Sequence, residues 1–215
     1  MAKAAPKVQV LKNDRRLEAS NLMARAFLAD PVYQYLIPNK KSYERRLKWM
    51  MRFMLRICPY RGVVHCVGEP LQGIAAWLKP GEKVSFLDEV KAGVLSAPFH
   101  LGIRSAWRSN SIMAETRKNR TRLSEGKHYW YLWQFAVAPE SRGKGYGRAL
   151  LQPVLEEADA MGIDCWLDNS NAANIPIYEA LGFRTVEEYT IENKKQIVKL
   201  WHMCRRAEKT KKKDR

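Results

Sequence analysis

The sequence predicts an α/β (α+β) domain in which one mixed sheet is flanked by helices and interrupted by a helical insertion around residues 84–127. Three observations carry this. Strand and helix patterns alternate along most of the chain, an order that builds layered sheet domains. The 215 residues are 46% hydrophobic and include seven tryptophans and nine tyrosines, enough apolar material for one core. Near the middle, the aromatic run HYWYLWQFAVAP is followed by a glycine-rich turn and a long helical pattern.

In chain order, VQVL reads as a short first strand. DRRLEASNLMARAFLAD carries Leu17, Leu22 and Ala26 at helical spacing, and Asp30-Pro31 is expected to close that helix because a residue before proline is pushed out of the helical region. KSYERRLKWMMRFMLRI is a second amphipathic helix. GVVHCVG and GIAAWLKPG read as strands joined by a turn around EPLQ. From Val84 to Lys127 the pattern is helical and basic, broken at Pro98. The long aromatic strand, the turn and a helix holding Pro153 follow; a proline inside a helix removes a ladder bond and is expected to kink it. IDCWLDNS is another strand, NAANIPIYEALGF a short helix ending at glycine, and RTVEEYTI and IVKLWHMCR a closing strand pair.

The composition narrows the classes. The first residues lack the apolar core of a signal peptide, and LKWMMRFMLRICPY, the most apolar helical candidate, is too short and too charged at Arg52 and Arg56 to span a bilayer, so no membrane partner is expected. Cys58, Cys66, Cys165 and Cys204 stand far apart with no C-x-x-C pair, as expected of reduced thiols in a cytoplasmic protein. The net charge of +16 favours anionic partners: a phosphate-bearing cofactor, nucleic acid or an acidic surface. The tail RRAEKTKKKDR contributes +5 of this, so the body is basic as well. Such a tail reads as a solvated end or a nucleic-acid contact.

The turn Arg142-Gly143-Lys144-Gly145-Tyr146-Gly147 explains part of the charge. Glycines permit close approach of another molecule, and the turn opens a helix whose unpaired N–H groups and dipole attract anions. Successive N–H groups form a nest for phosphate oxygens. The spacing excludes a P-loop, because Gly145 stands where Ser or Thr must follow Gly143-Lys144. It also excludes the dinucleotide fingerprint, whose third glycine comes one residue later than Gly147 does here.

What fits is Arg/Gln-x-x-Gly-x-Gly, with Arg142, Gly145 and Gly147, after a strand ending Val-Ala-Pro. This resembles the GNAT N-acetyltransferase superfamily. Downstream, Asn174-x-x-x-Tyr178-x-x-Leu181-Gly182-Phe183 resembles that superfamily's later motif, with Asn174 and Tyr178 on one helix face. The resemblance covers Tyr129 to Tyr189. Within the superfamily, Tyr-Leu before the long strand, Pro153 and WLDNSNAANIPIYEALGF look like the puromycin N-acetyltransferase branch.

The resemblance implies a GNAT-like, mostly antiparallel sheet splayed at its central strands, with residues 1–204 as a single domain and 205–215 as a disordered basic tail. It implies direct acetyl transfer from acetyl-CoA, with no metal, to a primary amine of a small molecule. By motif match, Phe135, Ala136 and Val137 pair with the pantetheine arm, and Arg142, Gly143, Lys144, Gly145, Tyr146, Gly147 and Arg148 form the phosphate turn. Asn174 is matched to pantetheine or an ordered water, and Tyr178 to the acid that protonates the leaving thiolate. Asp30, Tyr33 and Trp133 are expected to line the amine pocket. Many members place a glutamate base on the central strand, but there is no acid between Tyr129 and Pro139 here. Asp168 is therefore the first candidate base, acting through a water; its alternative reading is a turn aspartate in LDNSN. His128 is a second candidate by its intrinsic pKa, and His65 reads as structural.

Other classes stay open at this point. A protein or peptide N-acetyltransferase working near nucleic acid or the ribosome would also explain the charge. So would a non-catalytic acyl-CoA-binding protein or a nucleic-acid-binding protein, although the basic insertion interleaves little aromatic surface and carries no zinc spacing. A basic body repels polycations, which disfavours polyamines and aminoglycosides as acceptors. A monomer and a homodimer both remain compatible.

Overall fold

In the computed structural model, residues 6–193 and 196–208 are described. The first strand β1 (Val8–Val10) is followed by α1 (Arg16–Ala26), α2 (Pro31–Leu36) and α3 (Tyr43–Arg61). Strands β2 (Gly62–Val67) and β3 (Gly73–Leu78) lead into the insertion, which folds as α4 (Phe86–Ala92), α5 (Ala97–Leu101) and α6 (Ile103–Leu123). Then come β4 (Trp130–Val137), α7 (Tyr146–Met161), β5 (Cys165–Asn169), α8 (Ile175–Glu179), β6 (Arg184–Asn193) and β7 (Gln196–Arg205). No helix among the described residues is long and apolar enough to cross a membrane.

Among the described residues the strands form one sheet in the order β1-β2-β3-β4-β5-β7-β6, antiparallel except for β4 beside β5. The sheet separates two apolar clusters. On one face α1, α2, α3 and the insertion pack Leu22, Met23, Leu47, Met51 and Leu55 against Ile74, Ala76 and Ala136. On the other, α7 packs Leu150, Leu151, Val154 and Leu155 against Ala75, Trp77, Trp130 and Leu132. The period-two alternation of β4 feeds both clusters, as a strand covered on each face must. The four cysteines are buried as free thiols.

Two elements differ from the sequence expectation, each for a local reason. Helix α1 ends at Ala26 instead of running to Asp30, and Asp30 is the N-cap of α2: its Oδ1 accepts from the N–H groups of Val32 and Tyr33, with Pro31 in the first turn. The Asp-Pro pair thus opens a helix. Likewise Pro98 lies in the first turn of α5, where its missing N–H costs nothing; the breaks in the insertion fall instead at Gly93 and Gly102, both at positive φ. Helix α7 continues through Pro153 to Met161. Arg205 closes β7 and is paired with Asp159, and Arg206 with Asp164; residues 209–215 of the basic tail lie outside the described residues.

Candidate active site

The site begins at β4. Strand β3 pairs along its whole length, with Ala76 opposite Gln134 and Trp77 opposite Leu132, so Trp133 is an extra residue in a bulge. The extra residue inverts the side-chain alternation. Leu132 faces the α7 cluster, whereas Trp133, Gln134 and Ala136 lie toward the α1–α3 side and Phe135 returns to the α7 side.

On its other edge β4 pairs with β5 only from Trp130 to Leu132, opposite Cys165 to Leu167. Beyond Leu132 the two parallel strands part. Ala138 donates its N–H to Gln72 O, and by the two-residue alternation of an antiparallel ladder the N–H and C=O groups of Phe135 and Val137 turn away from β3, into the gap. The gap is the base of a cleft of about 470 Å³ lined by residues from α2, α3, the insertion, β4, β5 and α8.

The glycine turn lies at the α7 end of the same strand. Gly143 (φ 73°) and Gly145 (φ 83°) adopt left-handed backbone, and a Cβ at either would meet nothing within 4 Å, so both face open space. Gly145 is the N-cap of α7 and supplies no capping side chain; the first intrahelical bond runs from Ala149 N–H to Gly145 O. The N–H groups of Tyr146, Gly147 and Arg148 therefore precede the helix's own ladder, where an anion is stabilised. At Gly147 a Cβ would stand 3.0 Å from Phe135 Cζ, so the absence of a side chain sets how closely α7 approaches the strand. Lys144 donates from Nζ to Glu140 O (2.8 Å) and Arg148 from Nη2 to Ala180 O (3.4 Å), while Arg142 is exposed. Such a turn fits a phosphate-bearing ligand.

Tyr178 and Asn174 enter the cleft from α8 and the turn before it. The Tyr178 ring packs edge-on to Phe183 and tilted against Phe135, leaving the residue 8% exposed. Its hydroxyl has no hydrogen-bond partner among the described residues. Burial, reinforced by the nearby Asp30 charge, pushes its pKa well above the ordinary tyrosine value. Asn174 occupies the N-cap position of α8 without capping it, and its amide has no partner among the described residues.

Asp30 lines the cleft opposite. Its Oδ2 accepts from Ser170 Oγ (2.8 Å), tying the start of α2 to the loop after β5. Burial pushes its carboxyl above the usual range, against the hydrogen bonds from Ser170, Tyr33 and Val32. Tyr33 donates its hydroxyl to Gln134 Oε1 (2.9 Å), so Tyr33 fixes the first side chain after the bulge, and Trp133 lies beside it in the cleft wall.

Asp168 is placed differently from a free base. Its Oδ1 meets His202 Nδ1 at 2.6 Å, and its Oδ2 accepts from Tyr131 Oη at 2.8 Å and from Arg120 Nη1. The Asp168, Arg120 and His202 side chains are 10%, 8% and 0% exposed. Burial alone would raise the carboxyl, but the Arg120 guanidinium and His202 outweigh it and hold Asp168 below the ordinary carboxylate range. Arg120 lies 3.8 Å over the Tyr131 ring and His202 stacks on Tyr189 at 4.5 Å. Asp168 thus joins α6, β4, β5 and β7 at the point where the strands part. A carboxylate with every oxygen engaged and its proton affinity lowered is poorly suited to accept a proton, which weighs against its expected role as base. His128 is exposed at the start of β4, outside the main cleft, and His65 sits in β2 between β1 and β3. Gln134, Ser170, Arg120 and His202 escaped the sequence reading, because each acts through a partner distant along the chain.

Comparison with known proteins agrees with this geometry. The model of the acetyltransferase (GNAT) family matches residues 101–183, a span that holds β4, the glycine turn, α7, β5 and Tyr178. An uncharacterized N-acetyltransferase of Schizosaccharomyces pombe is 28% identical over 202 residues, covering 89% of this chain and 79% of that protein. The ribosomal protein bS18-alanine N-acetyltransferase of Escherichia coli is 44% identical over 55 residues, 24% of this chain and 37% of that one. Among solved structures, a Corynebacterium glutamicum protein described as histone acetyltransferase HPA2 and related acetyltransferase superposes with a TM-score of 0.64 at 16% identity, covering 96% of this chain and 99% of that one. The parted strands, the glycine turn and the later tyrosine all lie inside the matched span, so over residues 101–183 the chain is similar to the acetyltransferase (GNAT) family, and its fold is that of solved acetyltransferases.

Proposed function

We propose that the protein transfers the acetyl group of acetyl-CoA to the primary amine of a small molecule, by direct attack within the cleft between β4 and β5. The observation that carries this reading is the grouping of three uncommitted features around Phe135: the strand backbone that turns away from β3, the Tyr178 hydroxyl in the same cleft, and the capless start of α7, whose Gly147 stands against the Phe135 ring. Acetyl-CoA supplies the activated thioester. The turn from Arg142 to Arg148 holds its phosphates through backbone N–H groups, and Phe135 and Val137 hold its arm as an added strand. An N–H in the gap is placed to stabilise charge developing on the thioester oxygen. Asn174 offers its free amide to the arm.

The amine must lose a proton to attack. Asp30, at the cleft wall with its carboxyl raised by burial, is better matched to that transfer than Asp168, and we assign it the base role, direct or through one water. As the nitrogen–carbon bond forms and the carbon–sulfur bond breaks, Tyr178 gives its proton to the departing thiolate. Its raised pKa keeps it protonated until that moment. Tyr33 holds Gln134, and Trp133 supplies an apolar wall for the acceptor. The Asp168 network fixes the parting of the strands.

A second reading is acetylation of a protein N-terminus, favoured by the 55-residue match to the bS18-alanine enzymes. Thiol release from acetyl-CoA, measured over a panel of small primary amines and alanine-initiated peptides, separates the two. Turnover with small amines supports the proposal; turnover confined to peptides replaces it with the second reading. Acetyl-CoA binding without amine-dependent thiol release would make the chain an acyl-CoA-binding protein.

A further inference from the structure

Behind the acceptor end of the cleft lies a second, smaller recess of about 130 Å³, between the β3–α4 connection, the C-terminal half of α6 and the start of β4. The two cavities share a wall: Val84, Met113, Arg117, Arg120, Tyr131 and Trp133 line both. The recess therefore adjoins the amine pocket on the side away from the glycine turn.

Its charge is one-sided. Lys79, Lys83 and Arg117 line it and form no ion pair among the described residues. Its carboxylate, Glu82, is already held by Arg61 at 3.2 Å, and Lys127 is matched by Glu125 outside the lining. The deeper Arg120 commits Nη1 to Asp168, yet its buried Nε–H has no acceptor among the described residues. A buried guanidinium with an unsatisfied donor, beside Lys79, Lys83 and an Arg117 whose one nearby carboxylate, Glu89, lies beyond ion-pair distance, leaves the wall with net positive charge. Helix α6 places Arg117 and Arg120 one turn apart on the face that closes the cleft.

We propose that this recess is the acceptor's anion subsite. The preferred substrate is then a primary amine that also carries a carboxylate or phosphate, held through its anionic oxygens by Arg117, Lys83 and Lys79 while its amine reaches the gap beside Trp133. The inference rests on the acetyl-transfer reading above and narrows its substrate class. It also turns the chain's basic character into a selection rule: diamines and polyamines are repelled at the same wall that attracts amino acids or amino phosphates.

The test uses the full chain at saturating acetyl-CoA, with thiol release measured on matched acceptors: butylamine, 4-aminobutanoate and putrescine as one set, ethanolamine and O-phosphoethanolamine as another. The anionic members are expected to exceed the neutral ones in kcat/KM by about tenfold or more, the size of one or two charge-assisted hydrogen bonds, and the preference should fall with added salt. The two sets distinguish carboxylate from phosphate. Arg117→Ala combined with Lys83→Glu should collapse the anionic-to-neutral ratio through KM, whereas Arg104→Ala, exposed on the same helix outside the recess, should leave it intact. Neutral amines turned over as well as anionic ones, or a ratio that survives the double variant, would overturn the subsite and leave the acetyl-transfer reading standing. Acetyl-CoA binding with no turnover on any amine would overturn both.

Discussion

Asp168 offers the sharpest separation between a structural and a catalytic role. Asp168→Ala would leave the Arg120 guanidinium buried without its counter-charge, which costs about 3–5 kcal/mol. It would also take an acceptor from Tyr131 Oη and from His202 Nδ1, at about 1–3 kcal/mol for each buried group left unpaired. Against a total stability of about 5–15 kcal/mol, the alanine variant lies near the folding limit. Asp168→Asn keeps the shape and one acceptor, so its cost falls at the low end, about 3 kcal/mol. Arg120→Met added to Asp168→Asn removes the stranded charge and should recover part of that loss, since replacing both members of a buried pair is often near neutral.

The pH dependence has a definite sign. The Asp168 carboxyl is depressed in the folded protein, so its contribution is complete above the unfolded value of about 4 and is lost as pH falls through the folded value. The stability gap between wild type and Asp168→Asn should therefore be constant near neutrality and close under acid conditions. Urea unfolding followed by tryptophan fluorescence at several pH values reads all of these quantities. An Asp168→Asn protein within about 0.5 kcal/mol of wild type, with turnover abolished, would rule out the structural role and return Asp168 to the base role.

Tyr178→Phe removes an oxygen that has no hydrogen-bond partner among the described residues, so melting should move little, while kcat falls by about 10²–10⁴ with acetyl-CoA affinity retained; unchanged turnover would remove Tyr178 as the acid. Asp30→Asn keeps a good N-cap for α2, so the fold should persist, but the acidic limb of the kcat/KM profile, expected above the ordinary carboxylate range, should vanish along with most activity. Gly147→Val drives a branched side chain into Phe135, 3.0 Å from the added Cβ, and should weaken acetyl-CoA binding at least tenfold (about 1.4 kcal/mol) by calorimetry while costing about 1–3 kcal/mol of stability.

The parts of the site legible in the sequence are those written locally. The strand, glycine turn and helix follow one another without interruption, and Asn174 and Tyr178 are separated by one helical turn, so motif spacing alone locates them. The remaining groups act across the chain. Arg120 meets Asp168 over 48 residues, Tyr33 meets Gln134 over 101 and Ser170 meets Asp30 over 140, and no periodic pattern encodes such pairs. The bulge at Trp133 is equally silent, because no glycine or proline marks it, yet it decides which side chains face the cleft. Asp168 was conspicuous as a carboxylate at a strand end, but its three partners come from α6, β4 and β7, and they change what that carboxylate can do. At Asp30-Pro31 the same dipeptide can end one helix or begin another; the N–H groups of Val32 and Tyr33, which Asp30 Oδ1 caps, decide for the second.

The most direct measurement is thermal unfolding in the presence of acetyl-CoA, CoA or NAD, since a ligand that binds only the folded state raises the midpoint by mass action. The expected result is a rise with acetyl-CoA and CoA that grows with concentration, none with NAD, and a reduced rise in Gly147→Val. No rise with acetyl-CoA at saturating concentration would contradict it, leaving the glycine turn without its ligand and the basic surface as the feature to explain.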